Sequence, residues 1–136
     1  MSNSLESINL DFKKSFHSIF QKPELIQSFL TKRSNKFDAI IKKEFIRREL
    51  ETDFALVALG GYGRKELFPS SDIDLSIIQF NSKTKKIEDI KDFIGWLWTL
   101  KVKVGHSVRT VKDIEKITKS DLKEFTSYLS YRIIFC

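Results

Sequence analysis

An α+β fold is predicted by three observations. Short runs with strand character stand at residues 54–59, 72–80 and 101–110. Segments of helical period lie before, between and after them. The boundaries carry Gly, Pro, Ser and Asn, the residues that punctuate elements. The expected architecture is a small mixed sheet of about three to four strands, with helices packed on one face and a helical N-terminal arm.

Each element has its own warrant. Phe12, Phe16, Ile19 and Phe20 fall at i, i+4, i+7 and i+8, one apolar helix stripe. Pro23 interrupts that stripe and suits the first turn of a second helix. Leu25, Ile26, Phe29 and Leu30 continue it, and Phe37, Ile40, Ile41 and Phe45 resume the period. The polar stretch Thr31 to Lys36 between them is a break or an exposed helical turn. Arg47, Arg48 and the acid-rich segment Glu49 to Asp53 close this part. The expected division is a helical arm over 1–50 and a core over 51–136. Phe54 to Leu59, FALVAL, is a short continuous apolar run ending in Gly60-Gly61, which favours a buried strand. GGYGR reads as a backbone-dominated turn, Arg64 to Phe68 as one helical turn, and Pro69-Ser70-Ser71 as a loop. DIDLSIIQF, Asp72 to Phe80, is a second strand, and Asn81 to Lys86 a polar turn. Ile87, Ile90, Ile94 and Leu97 make a helix, its apolar face widened by Phe93, Trp96 and Leu100. Trp96 is expected in the core and Trp98, two residues on, at an interface. Lys101 to Thr110 alternates, with Val102, Val104, His106 and Val108 on one side, a third strand. From Val111 onward the chain reads as one or two helices, including the final SYRIIF. Ser120 or Asp121 is the expected N-cap there, with Glu124 completing a capping box.

Composition removes several function classes. A chain of 136 residues suits one domain. Twelve Phe exclude a solvated coil. The single Cys, Cys136, excludes an internal disulfide framework and a thiolate zinc cluster. No apolar run approaches the roughly 20 residues of a membrane span. The start, MSNSLESINLDFKK, lacks a secretory h-region, so the expected compartment is the cytoplasm. Net charge is 24 − 18 = +6, which favours anionic partners. The charges form no stripe interleaved with aromatics, so plain nucleic-acid binding is not expected.

The chemistry concentrates in GGYGRKELFPSSDIDL, Gly60 to Leu75. Strand alternation puts Asp72 and Asp74 on one side and Ile73 and Leu75 on the other. Like charges so placed are unfavourable unless a cation stands between them. A divalent metal is the natural occupant, and magnesium takes one or two carboxylates together with substrate phosphates. Gly60-Gly61 lets the backbone turn sharply and approach a phosphate. A helix starting near Arg64 would offer free N–H groups to an anion, and Arg64 itself either contacts a phosphate or pairs with Glu66 or an aspartate. The turn is not a phosphate loop of the GxxxxGK type, since no Lys-Ser/Thr pair follows. An isolated D-x-D is a weak signal; a glycine turn and a D-x-D framed by two strand-like runs is a specific one.

GGYGRKELFPSSDIDLSII resembles the signature of the polymerase-β-like nucleotidyltransferase superfamily, a Gly-Gly or Gly-Ser turn followed by an acid-x-acid strand. With the later WLWTLKVKVGHSVRTVKDIE, it is similar to the nucleotidyltransferase domain of bacterial PII uridylyltransferase/uridylyl-removing enzymes, over about residues 25–136. The resemblance implies magnesium-dependent transfer of UMP from UTP to a tyrosine of the PII protein. It implies that Asp72 and Asp74 are the catalytic, metal-binding carboxylates. It gives Gly60 and Gly61 to the nucleotide-phosphate turn and adds Ser71 as a phosphate contact. Arg64 and Glu66 match the motif, with an ion pair and a catalytic role equally open.

Two departures follow. The wider superfamily often adds a third carboxylate from a later strand, and KVKVGHSVRT has none; Gly105 or His106 stands at that place. The general base is then unassigned. His106 is a candidate, but its alternation with the valines favours a core histidine. Ser107 and Arg109 share the other face with Lys101 and Lys103, a face suited to phosphates. The resembling proteins are also several times longer, carrying an HD hydrolase domain and two ACT domains. The apolar end SYRIIFC therefore leads us to expect a domain truncated at its C-terminus. Two rivals stay open at this point: a non-catalytic remnant that binds nucleotide or a partner protein, and nucleotidyl transfer to a different acceptor.

Overall fold

A computed structural model of the chain describes Leu10 and residues 22–68, 71–100, 102–120 and 131–135. The expected stripe Phe12, Phe16, Ile19 and Phe20 lies outside the described residues, as do Asp121 and Glu124 of the expected capping box.

Helix α1 spans Pro23–Arg47 without a break, with Pro23 in its first turn. That position suits proline, whose missing N–H would have no partner there anyway. The polar stretch stays helical and is not exposed throughout, because Arg33 and Ser34 are buried. Leu30, Phe37, Ile41 and Phe45 recur at helical spacing and are buried. A 3-10 turn, Leu50–Thr52, leads into strand β1, Phe54–Leu59, buried along its whole length. Helix α2 is a single turn, Gly60–Gly63. It begins at Gly60, so Arg64 caps its end instead of opening a helix, and residues 64–68 make turns. Strand β2 is Ile73–Gln79, helix α3 Ile87–Trp98, strand β3 Val104–Thr110 and helix α4 Val111–Ser120.

Strand β4, Arg132–Phe135, corrects the helical reading of SYRIIF. It pairs antiparallel with β1, whose outer N–H and C=O groups would otherwise lack strand partners. Leu56 faces Phe135 and Val57 faces Ile133, so Ile134 is the extra residue of a bulge. The β-branched pair Ile133-Ile134 suits a pleated surface.

The sheet order is β3-β2-β1-β4. β1 and β2 are antiparallel, while β2 and β3 are parallel with α3 as the crossover. Phe54, Leu56, Ala58, Ile73, Leu75 and Ile77 turn to one face and join Phe37, Ile41 and Phe45 of α1 and Ile90, Phe93 and Leu97 of α3. Phe45 and Phe93 meet edge to face at 5.6 Å between centroids. Each such side chain contributes about 1.5–3 kcal/mol on burial, so this face anchors the sheet. Trp96 stacks on Phe93 and packs against the core, as expected, while Trp98 is exposed. Ile87, in the first turn of α3, stays exposed despite its place in the period. The opposite face of β2 carries Asp74, Ser76 and the half-buried Ile78.

Candidate active site

Alternation along β2 sends Asp74 and Ser76 away from the core. Asp74 pairs in register with Leu59, the last residue of β1, and with Gly105 in β3. It therefore stands where the glycine turn leaves the sheet. Gly60 has φ +59°, a left-handed conformation that glycine takes without strain. A Cβ built on Gly60 would lie 3.2 Å from Asp74 Oδ2, and one on Gly105 only 2.6 Å from Asp74 Oδ1. The carboxylate thus occupies a cradle between two residues that lack side chains. Burial raises the Asp74 carboxyl above the usual aspartate range, and the charge of exposed Asp72 raises it further. Farther along the same face, the hydroxyls of Ser107 and Ser76 meet at 3.3 Å. Arg109, two residues on from Ser107, extends that face.

The glycine turn is held by its own backbone and from beneath. Arg64 N–H donates to Gly60 O, Lys65 N–H to Tyr62 O, and Glu66 N–H to Gly61 O. Lys65 takes φ +58°, and its Nζ donates to Asn35 Oδ1 at 2.9 Å. Arg64 pairs with Glu66 at 3.1 Å with both side chains nearly half exposed, the ion-pair alternative of the sequence reading. Below the turn, the fully buried Tyr62 donates its hydroxyl to Asp38 Oδ1. Arg132 of β4 pairs with the same carboxylate at 2.5 Å and donates to the carbonyls of Tyr62 (3.0 Å) and Gly63 (3.3 Å). Burial, then Asp38, push the Tyr62 hydroxyl well above its ordinary pKa, so it remains a donor.

Residues 39–133 match the family model of the nucleotidyltransferase domain. The chain belongs to the nucleotidyltransferase domain family. It is 35% identical over 127 residues to the bifunctional uridylyltransferase/uridylyl-removing enzyme of Pseudoalteromonas translucida, covering 91% of this chain and 14% of that protein. Identity is 32% over 123 residues to the protein of the same name from Cupriavidus pinatubonensis, again 14% of its length. It reaches 43% over 83 residues, 60% of this chain, in the Vibrio parahaemolyticus protein of that name. The chain therefore spans about one seventh of the first two of these curated relatives.

Within the nucleotidyltransferase domain, the structure brings Gly60 and Asp74 into contact and puts Asp72 within electrostatic reach. Gly61 has ordinary room for a Cβ, 3.6 Å from Glu66 O and 3.9 Å from the Arg64 guanidinium, so sterics do not demand a glycine there. Half-buried Ser71 donates its N–H to Phe68 O at 3.0 Å, immediately before Asp72. His106 is a correction: it is exposed, not a core histidine. Its alternation was read correctly, since it pairs with Leu75 on the core side, but β3 is an edge strand and that flank is not covered. It packs edge-on against exposed Trp98 at 5.8 Å. On the face opposite Asp74, it cannot act as a base beside the carboxylates. An open hollow of about 300 Å³ lined by Trp98, Val102 and Val104 lies along that same β3 edge and does not join the site.

Asp38 and Arg132 are neighbours of the site that the sequence does not announce, and Gly105 stands in the sequence only at the place of the absent third carboxylate. Only Gly105 carried a signal: an isolated glycine inside a strand marks a close approach of another group. The donor set fits a magnesium ion brought with a nucleotide. Two hard carboxylates are present, and among the described residues no group of three or more His, Cys, Asp or Glu could hold a metal ion by itself. Magnesium normally completes such a pair with waters and substrate phosphates.

Proposed function

We propose that this nucleotidyltransferase domain transfers UMP from UTP to a tyrosine of a PII-type nitrogen-regulatory protein, with magnesium held by Asp72 and Asp74. The single observation that carries the reading is the cradled Asp74, raised in pKa beside Asp72 on the face next to the glycine turn. A carboxylate pair without a counter-charge is relieved by a cation, and the names of the relatives supply the uridylyl group. When bound, magnesium would neutralise charge on the triphosphate and on the departing pyrophosphate. Asp72 and Asp74 would hold the ion. Gly60 and Gly61 keep the turn low enough for phosphate oxygens to approach its backbone. Ser71 and Arg64 supply further phosphate contacts, which Arg64 can make by leaving its exposed pairing with Glu66, since such a pair is worth only about 0–1 kcal/mol. The acceptor hydroxyl attacks the α-phosphorus, its proton passes to solvent water, and the bond to pyrophosphate breaks. In this assignment residues 51–136 carry the catalytic groups, α1 from the expected arm 1–50 packs Phe37, Ile41 and Phe45 against them, and the reaction belongs to the cytoplasm.

The test is transfer of label from α-labelled UTP, with magnesium, to a PII protein. The expected product carries UMP on a tyrosine. ATP in parallel reports base choice. Label on PII that persists undiminished in both Asp72→Asn and Asp74→Asn would remove the assignment.

A further inference from the structure

We propose that Gly105 is a positioning residue for the nucleotidyl-transfer site: the space of its missing side chain is where the Asp74 carboxylate stands. The inference rests on the metal-carboxylate reading above and deepens it. The observation is steric. A Cβ at position 105 would fall 2.6 Å from Asp74 Oδ1, a separation that non-bonded carbon and oxygen do not sustain, and 3.8 Å from its Cγ. The other oxygen, Oδ2, abuts the second glycine, with 3.2 Å to a Cβ built on Gly60. One carboxylate is therefore bracketed, oxygen by oxygen, by two residues from two different elements. The bracket is set by the sheet itself. Parallel pairing of β2 with β3 puts Asp74 and Gly105 side by side on one face, and antiparallel pairing with Leu59 brings in Gly60.

Glycine has no packing reason to sit at this point of β3. It weakens a strand relative to alanine, and Gly105 is exposed rather than squeezed by a neighbouring backbone. What it faces within 4 Å is the Asp74 side chain alone. The same geometry excludes any side chain, and so any carboxylate, from position 105. The next residue on that face is Ser107, already hydrogen-bonded to Ser76. The strand face thus offers a site of two carboxylates in which β3 contributes space instead of a ligand. With β1 and β2 fixed by the core, a methyl group at 105 has one easy outlet: the Asp74 carboxylate swings away from its cradle and loses the direction it shares with Asp72.

The test separates placement of the carboxylate from stability. Manganese with a non-hydrolysable UTP analogue is the probe, and uptake is read as the change in the Mn²⁺ electron paramagnetic resonance signal over that of the same metal–nucleotide mixture without protein. Gly105→Ala is expected to weaken Mn²⁺ uptake at least tenfold while the melting temperature stays within about two degrees of the parent. Asp74→Asn should weaken uptake similarly, and adding Gly105→Ala to it should weaken uptake no further. Should Gly105→Ala instead destabilise the fold, Asp74→Ala in the same chain must restore the melting temperature. Parent-like Mn²⁺ uptake by Gly105→Ala, with uptake lost in Asp74→Asn, overturns the role of Gly105 and leaves the metal reading standing. A stability loss that persists after Asp74→Ala also overturns it. No Mn²⁺ uptake by the parent overturns both together.

Discussion

Asp38 and Asp74 are both carboxylates withdrawn from water, and the fold treats them in opposite ways. Asp38 accepts from the Tyr62 hydroxyl and forms an ion pair with Arg132, so its charge is answered within the protein. Asp74 has another carboxylate as its charged neighbour, and no cation or donor among the described residues meets it. The first arrangement fixes structure. The second costs folding free energy, and it makes sense where a ligand supplies the missing charge. Partnering, more than burial, separates these two carboxylates.

Substitutions can break this contrast. The largest expected effect is on transfer: Asp74→Asn or Asp72→Asn should slow it by at least about 1,000-fold, about 4 kcal/mol of barrier, with the melting temperature unchanged or slightly higher. Initial rates with labelled UTP and calorimetry on the same samples check both halves. Asp38→Ala should do the reverse. Removing one member of a mostly buried pair strands Arg132 and costs about 3 kcal/mol, read as a lower urea midpoint, while folded molecules retain metal binding. If Asp38→Ala spared stability but abolished manganese uptake, the contrast would collapse. Gly60→Ala sits between the two. It forces a left-handed alanine, costing about 1 kcal/mol, and crowds Asp74, so it should lower stability and transfer together.

Smaller effects appear in pH dependence. Because the folded Asp74 carboxyl is raised, it contributes least above that raised value: stability falls as pH climbs from the ordinary aspartate range through it. Asp74→Asn removes this slope, so its melting temperature should gain on the parent over that window and stay ahead at higher pH. Asp113 runs the other way. It accepts from Thr110 N–H at 2.8 Å while its own N–H donates to Thr110 Oγ1, a capping box on α4 that lowers its pKa. Its contribution is present above the ordinary aspartate range and lost as pH falls through the lowered value. Thr110→Ala should cost about 1 kcal/mol in chemical denaturation, the smallest change in this set.

Much of this was legible because it is periodic or local. The 3.6-residue stripe of α3 and the FALVAL run announce their elements, and Asp72, Asp74 and Gly60 lie within fifteen residues of one another. Arg132, Tyr62 and Asp38 were not legible, because they meet across 94 residues only after the sheet forms. His106 shows a different limit. Alternation reports which face a residue takes, but not whether the strand is central or at an edge, and edge position decides its exposure. The four residues of β4 failed for want of length: a run of that size has no period, and its strand character comes from the open side of β1.

The bond from Arg132 to Gly63 spans 69 positions of the chain. Contacts of such separation form late, after the entropy of closing a long loop has been met. During synthesis from the N-terminus, the glycine turn and both acidic residues leave the ribosome well before β4. The glycine turn therefore gains its Arg132 brace only when residue 132 has emerged, and a nascent chain shorter than that holds Gly60, Asp72 and Asp74 with the turn tied by its own backbone and by the Tyr62–Asp38 and Lys65–Asn35 bonds alone.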